Sequence, residues 1–225
     1  GPVPPTRSST RCPARARAGV AESTTSMRAE LVYARAATSW AMLGITLALI
    51  VTLLTIVARW PYTMWPLHGA AIGLIAGTSA WAVDETTATI VDVAPRPMWW
   101  RSAVRAFTPL ILAVAWTATH FVIRDRLPDQ LGLFVLQGVT AAALGFAAGI
   151  TLRARGRSEP GQWIASFVCP LTLGVALAKP LNDHAPLFPV WPHDNWTRST
   201  IIWSAAAVGA VLLAGRTLWS DTRSA

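Results

Sequence analysis

Residues 130–152 read QLGLFVLQGVTAAALGFAAGITL, an unbroken stretch without a charged side chain. As a helix it would be roughly 34 Å long, enough to cross a hydrocarbon core of about 30 Å. Its polar members are Gln137, three threonine or glutamine neighbours and glycines, none of which forbids burial in lipid. Comparable uncharged runs occupy 36–58, 66–83, 106–123, 160–178 and 199–215, so six membrane-spanning helices are expected in an all-α protein. Pro109, Pro170 and the prolines between 180 and 192 leave room for kinked or re-entrant pieces.

The whole composition agrees with that reading. Of 225 residues 53% are hydrophobic and 13% charged, with a mean hydropathy of +0.42. Soluble domains carry about a quarter charged residues, so an ordinary soluble enzyme is excluded. The net charge of +8 does not indicate nucleic-acid binding, because the bases flank apolar runs instead of gathering on one polar face. All but Lys179 of the 19 bases are arginine, which with the alanine richness fits a GC-rich genome.

Six spans place both termini on one side. Putting them inside leaves 14 bases in inner segments and five outside, namely Arg59, Arg124, Arg126, Lys179 and Arg198. Both termini are therefore expected in the cytoplasm of a bacterium, with the chain in its plasma membrane. The tryptophans follow the same partition: Trp40, Trp81, Trp99, Trp100, Trp163 and Trp219 fall near inner ends, Trp60, Trp65, Trp191, Trp196 and Trp203 near outer ends, and Trp116 alone mid-span. Residues 1–27 hold almost no large apolar side chain and are expected to be a disordered cytoplasmic tail, with 28–225 the transmembrane domain. Gly1-Pro2 resembles the scar of a cleaved tag, and Met27 is a candidate natural start.

Within the spans, Gly69, Gly73 and Gly77 recur at four-residue spacing, and Gln137, Ala141, Gly145 and Gly149 share one helical face. Such ridges let helices approach closely, within one chain or between two. All eleven acids lie outside the spans, which argues against a carrier built on intramembrane carboxylates. His120 and Gln137 remain as a candidate polar path, His120 serving as a proton relay or as a hydrogen-bonded interface residue. Ser79 and His120 as a nucleophile and base would stand a helix length apart. Asp183, His184, His193 and Asp194 match no zinc spacing, and Cys12 and Cys169 offer neither a metal site nor a disulfide framework. No P-loop motif is present, so this chain has no nucleotide site of that kind.

The loop between the second and third spans reads Asp84-Glu85-Thr86-Thr87-Ala88-Thr89-Ile90-Val91-Asp92-Val93-Ala94-Pro95-Arg96-Pro97-Met98-Trp99-Trp100-Arg101. A short helix is expected there, Asp84 serving as its N-cap and Pro95 stopping it. This segment resembles the coupling helix of the membrane subunits of ATP-binding-cassette exporters of the second permease type. In that family an acid, a threonine and a proline recur where Asp84, Thr87 and Pro95 stand, ahead of a basic entry to span three matched by Arg101 and Arg105. Thr86, Ala94 and Asp92 depart from the pattern.

The resemblance implies a dimeric permease, made with a second copy or a related chain in the lipid bilayer. It implies that a separate P-loop ATPase holds ATP and Mg, while this chain binds no cofactor and performs no bond chemistry. Asp84, Glu85, Thr87, Ile90, Val91 and Asp92 would dock the ATPase, with Arg96 and Arg101 as charge partners. A small outer re-entrant or helical segment would fall at 179–199. The charge-free interior favours a hydrophobic or amphipathic cargo such as a drug, lipid or modified peptide. The alternatives are a self-contained six-span carrier or channel using His120 and Gln137, and a membrane anchor or immunity protein.

Overall fold

Each helix ends where the chain supplies a reason. The computed structural model describes residues 38–84, 98–178, 185–189 and 195–224, and among these there is no strand. Helix α1 is Trp40–Arg59 and stops as Pro61 pushes Trp60 out of helical geometry, φ −132° and ψ 84°. A 3-10 turn at Pro61–Thr63 leads into α2, Met64–Trp81. Then come α3, Met98–Arg105, and α4, Phe107–Val122. Helix α5 is Leu131–Ala154, α6 is Pro160–Leu177 and α7 is Trp196–Ser224.

Helix α5 is closed by Gly156 at φ 83°, a left-handed geometry that glycine adopts without the Cβ penalty. Gly156 N–H donates to the Arg153 carbonyl at 2.9 Å and Arg157 N–H to that of Leu152 at 3.1 Å, which satisfies two orphan carbonyls of the last turn. Helix α6 opens with Pro160 in its first turn, where a missing N–H removes no helical bond, and continues unbroken through Pro170.

Among the described residues five stretches are long and apolar enough to cross a membrane: Trp40–Arg59, Trp100–Val122, Leu131–Ala154, Pro160–Leu177 and Trp196–Trp219. The remaining expected span, 66–83, does form a helix, α2, but falls short in apolarity. Its position explains this. Eleven of its residues from His68 to Ala80 are buried, because α2 packs along α6, α5 and α1 and meets protein on most of its surface. A helix enclosed by protein needs close-packing and polar side chains more than lipid-like ones. The outer faces of the other helices carry Ile45, Leu49, Leu110, Val114, Phe167, Leu171, Val208 and Leu212 exposed, as lipid-facing surfaces do. The chain is therefore an all-helical, multi-pass membrane protein.

One expectation changes in detail. The last span begins at Trp196, so residues 196–199 belong to α7 and not to a separate outer segment. Residues 185–189 are irregular, while the rest of 179–194 lies outside the described residues, as do 85–97 with the expected coupling helix and the tail.

The glycine ridges are used inside this chain. A Cβ on Gly69, Gly73 or Gly77 would meet Ala176, Thr172, Cys169 or Ala165 of α6, and one on Gly145 or Gly149 would meet Ala76, Ala80 or Val83. Hydroxyl pairs tie further helices together: Thr46 to Thr78 at 2.8 Å between α1 and α2, and Thr151 to Thr217 at 3.1 Å between α5 and α7. At Gly145 the neighbour is the α2 backbone itself, which has no rotamer to yield. Gly145→Val should lower unfolding free energy by roughly 1–3 kcal/mol through overpacking, read as a lower Tm in lipid nanodiscs. Gly44→Val, where nothing lies within 4 Å, should leave Tm nearly unchanged.

Candidate functional site: a polar and aromatic cluster beside a cavity

Antiparallel helices bring the start of α2, the end of α4, and the starts of α5 and α7 to one end of the bundle. There His68, His120, Gln137, Ser199 and Trp203 converge, each less than a tenth exposed. The carbonyl of Leu187, in the irregular segment before α7, is the hub. It accepts from Gln137 Nε2 at 3.0 Å, Trp203 Nε1 at 2.9 Å and Ser199 Oγ at 3.3 Å. Gln137 Oε1 lies 2.8 Å from His68 Nε2. Trp116, wholly buried, donates its indole N–H to the Phe134 carbonyl at 2.7 Å, and His120 Nδ1 stands 3.0 Å from the Trp116 carbonyl. Buried polar groups in lipid need partners within the protein, and this chain of bonds supplies most of them from four helices and a loop.

Rings pack tightly around the hydrogen bonds. His68 meets Trp116 at 5.0 Å between centroids, Phe134 at 5.3 Å and His120 at 5.7 Å, all edge-on, and His120 lies 4.2 Å from Trp116. Gly138 leaves the room that the Trp116 indole fills, since a Cβ there would collide with it.

Against this cluster lies a cavity of about 870 Å³. His68 and Gln137 form part of its wall, and Tyr62, Trp65, Phe134, Phe188 and Trp196 supply aromatic faces. Asp125, Arg126 and Asp129 add charge, with Tyr62 82% exposed and Asp125 held 3.5 Å from Arg124. Mostly apolar walls with a few placed polar groups are what a small-molecule site requires, and the volume is of drug-sized order. Among the described residues no group of three histidine, cysteine or acidic side chains gathers to hold a metal.

The structure thus joins two residues that the sequence nominates, His120 and Gln137, and adds His68, Trp116, Ser199, Trp203 and the Leu187 carbonyl, which it did not. Ser79 is buried eleven residues along α2 from His68, about 16 Å at helical rise, so it does not join His120. Gly69, Gly73, Gly77, Gly145 and Gly149 line helix contacts, none of them the cavity.

Of the residues expected to dock an ATPase, Glu85, Thr87, Ile90, Val91, Asp92 and Arg96 lie outside the described residues, as do Asp183, His184, His193 and Asp194. Arg101 is half-buried on α3. Asp84 is described and caps a different helix from the one expected. Its carboxylate accepts from Gly161 N–H at 2.7 Å and Gln162 N–H at 2.9 Å, closing the N-terminus of α6. Burial pushes the Asp84 carboxyl up from the usual carboxylate range, and these two N–H donors oppose that shift. Arg105 donates to the Val83 carbonyl at 2.7 Å, capping the other end of the same link. Asp84→Ala should destabilise the chain by about 1–2 kcal/mol and speed hydrogen exchange at the first turn of α6. Asp84→Asn, which keeps an acceptor, should lose less.

No family model, curated protein or solved structure matches the chain.

Proposed function

We propose that the protein is a membrane carrier for a small amphipathic solute, bound in the cavity between α2, α5 and the segment around Phe188. The observation that carries this reading is the wall formed by His68 and Gln137. Two hydrogen-bonding side chains from different spans meet at a cavity with five aromatic faces, deep enough in the bundle to be almost wholly buried. Aromatic faces would take the apolar body of a solute, and the imidazole and carboxamide would orient its polar end. Transport would follow from a switch in which end of the bundle opens to this site.

The test is solute counterflow into proteoliposomes holding this chain alone, with a panel of labelled amphipathic amines, carboxylic acids and neutral glycosides. Saturable counterflow without ATP is expected for one class. Flux for none of them would remove the carrier reading.

A second reading, the permease of an ATP-binding-cassette exporter, is favoured by the Asp84 bridge. The first residue of the 84–95 segment is bonded directly to the start of α6, so force applied to that segment by an ATPase would reach a spanning helix. On this reading the chain pairs with a second permease chain and a P-loop ATPase, and Asp92→Lys with Val91→Glu would abolish transport. The carrier reading expects that double variant to retain it.

A further inference from the structure

Two lone pairs in the ring cluster have no donor. The Leu187 carbonyl can only accept, so it fixes the Gln137 carboxamide with its N–H₂ toward Leu187 and its oxygen toward His68. His68 must then donate from Nε2, which leaves Nδ1 of the neutral imidazole bare. His120 is fixed in the opposite sense: its Nδ1 faces the Trp116 carbonyl and must carry the hydrogen, which leaves Nε2 bare. Both bare nitrogens are buried without a hydrogen-bond partner among the described residues. The two rings are neighbours, 5.7 Å between centroids and 87° apart in plane.

We propose that His68, on the wall of the cavity, and His120, packed against it, form a site for a single proton. A lone buried imidazolium would carry an unpaired N–H in a medium of low dielectric, which is costly. The neighbouring ring offers a bare nitrogen of its own, not bonded directly to the first, and one bridging water would join the two. The charge would also rest among π-systems: Trp116 lies 4.2 Å from His120 and 5.0 Å from His68, and Phe134 5.9 Å and 5.3 Å. A second proton would set two like charges side by side and is refused.

The groups meeting His68 are His120 and Trp116 from α4, Phe134 and Gln137 from α5, and Phe188. None of the others carries charge, so the pair answers for its own proton. The charged groups on the cavity wall are Asp125, Arg126 and Asp129. The site goes beyond the carrier reading and gives it a consequence: one positive charge, present or absent, beside the solute.

The experiment is ¹⁵N spectroscopy of the full chain with labelled histidine in lipid nanodiscs, titrated between about pH 8 and pH 4. At the basic end the hydrogen should sit on Nε2 of His68 and on Nδ1 of His120. On acidification one imidazolium should form per pair, both rings shifting in the same step, and His120→Gln should remove the step at His68. The idea fails if the rings take up two protons, titrate independently, or stay neutral throughout. The wild-type proton count decides this even if a variant does not fold. Counterflow is scored separately. Transport without the proton overturns this inference alone, and the proton without transport overturns the carrier reading alone.

Discussion

Trp116→Ala is expected to cost roughly 3–5 kcal/mol of stability, read as a large fall in Tm in lipid nanodiscs. The side chain is wholly buried, so its removal leaves a void that neighbouring helices can close only by shifting their backbones. In lipid the loss is mainly of van der Waals packing, since spanning helices gain little from excluding water. The indole also holds three partners at once: the Phe134 carbonyl through its N–H, the His120 ring, and the surface left open by Gly138. Trp116→Phe should recover much of the loss, because it restores a ring beside His120 and sacrifices chiefly the N–H bond.

Gln137→Leu should cost less stability, about 1–3 kcal/mol, and more function. The substitution puts an apolar side chain of similar bulk in place of the carboxamide and leaves the His68 N–H without its acceptor. The Leu187 carbonyl keeps Trp203 and Ser199 as donors, so the segment before α7 should stay attached. His68 loses the bond that selects its tautomer and orients its ring on the cavity wall. Solute affinity should fall at least tenfold in counterflow or equilibrium binding, while the chain still folds. Were Tm to fall as far as in Trp116→Ala with solute affinity unchanged in the folded fraction, Gln137 would be a packing residue only.

The helices were legible because charge is absent from long runs, a signal that does not depend on neighbours. The expected 130–152 span and the observed α5, Leu131–Ala154, differ by no more than two residues at either end. The part played by α2 was less so. Its histidine, threonine, serine and glycines lower its apolarity because it is the enclosed helix, and enclosure is a tertiary property. The glycine ridges showed that close contacts exist, yet only the packed chain shows that their partners are α6 and the end of α2.

For the site, His120 and Gln137 stood out as polar residues in apolar runs. His68 carried the same signal, and the alternation of spans places all three within about two turns of ends on the same side. Comparing depths across spans would have grouped them. The Leu187 carbonyl, a backbone atom common to every residue, leaves no such mark. Asp84 shows a different difficulty: an acid at the start of a segment is a fair N-cap for that segment, but its carboxylate reaches across to α6, and a long-range cap has no local pattern.

The central claim is that the cavity beside His68 and Gln137 holds a solute. Its most direct test is native mass spectrometry of the intact chain released from nanodiscs after purification from its own host, wild type beside Gln137→Leu. A small-molecule adduct of fixed mass on the wild type and its loss from the variant is the predicted result. No adduct on either protein, or the same adduct equally retained by both, would contradict it.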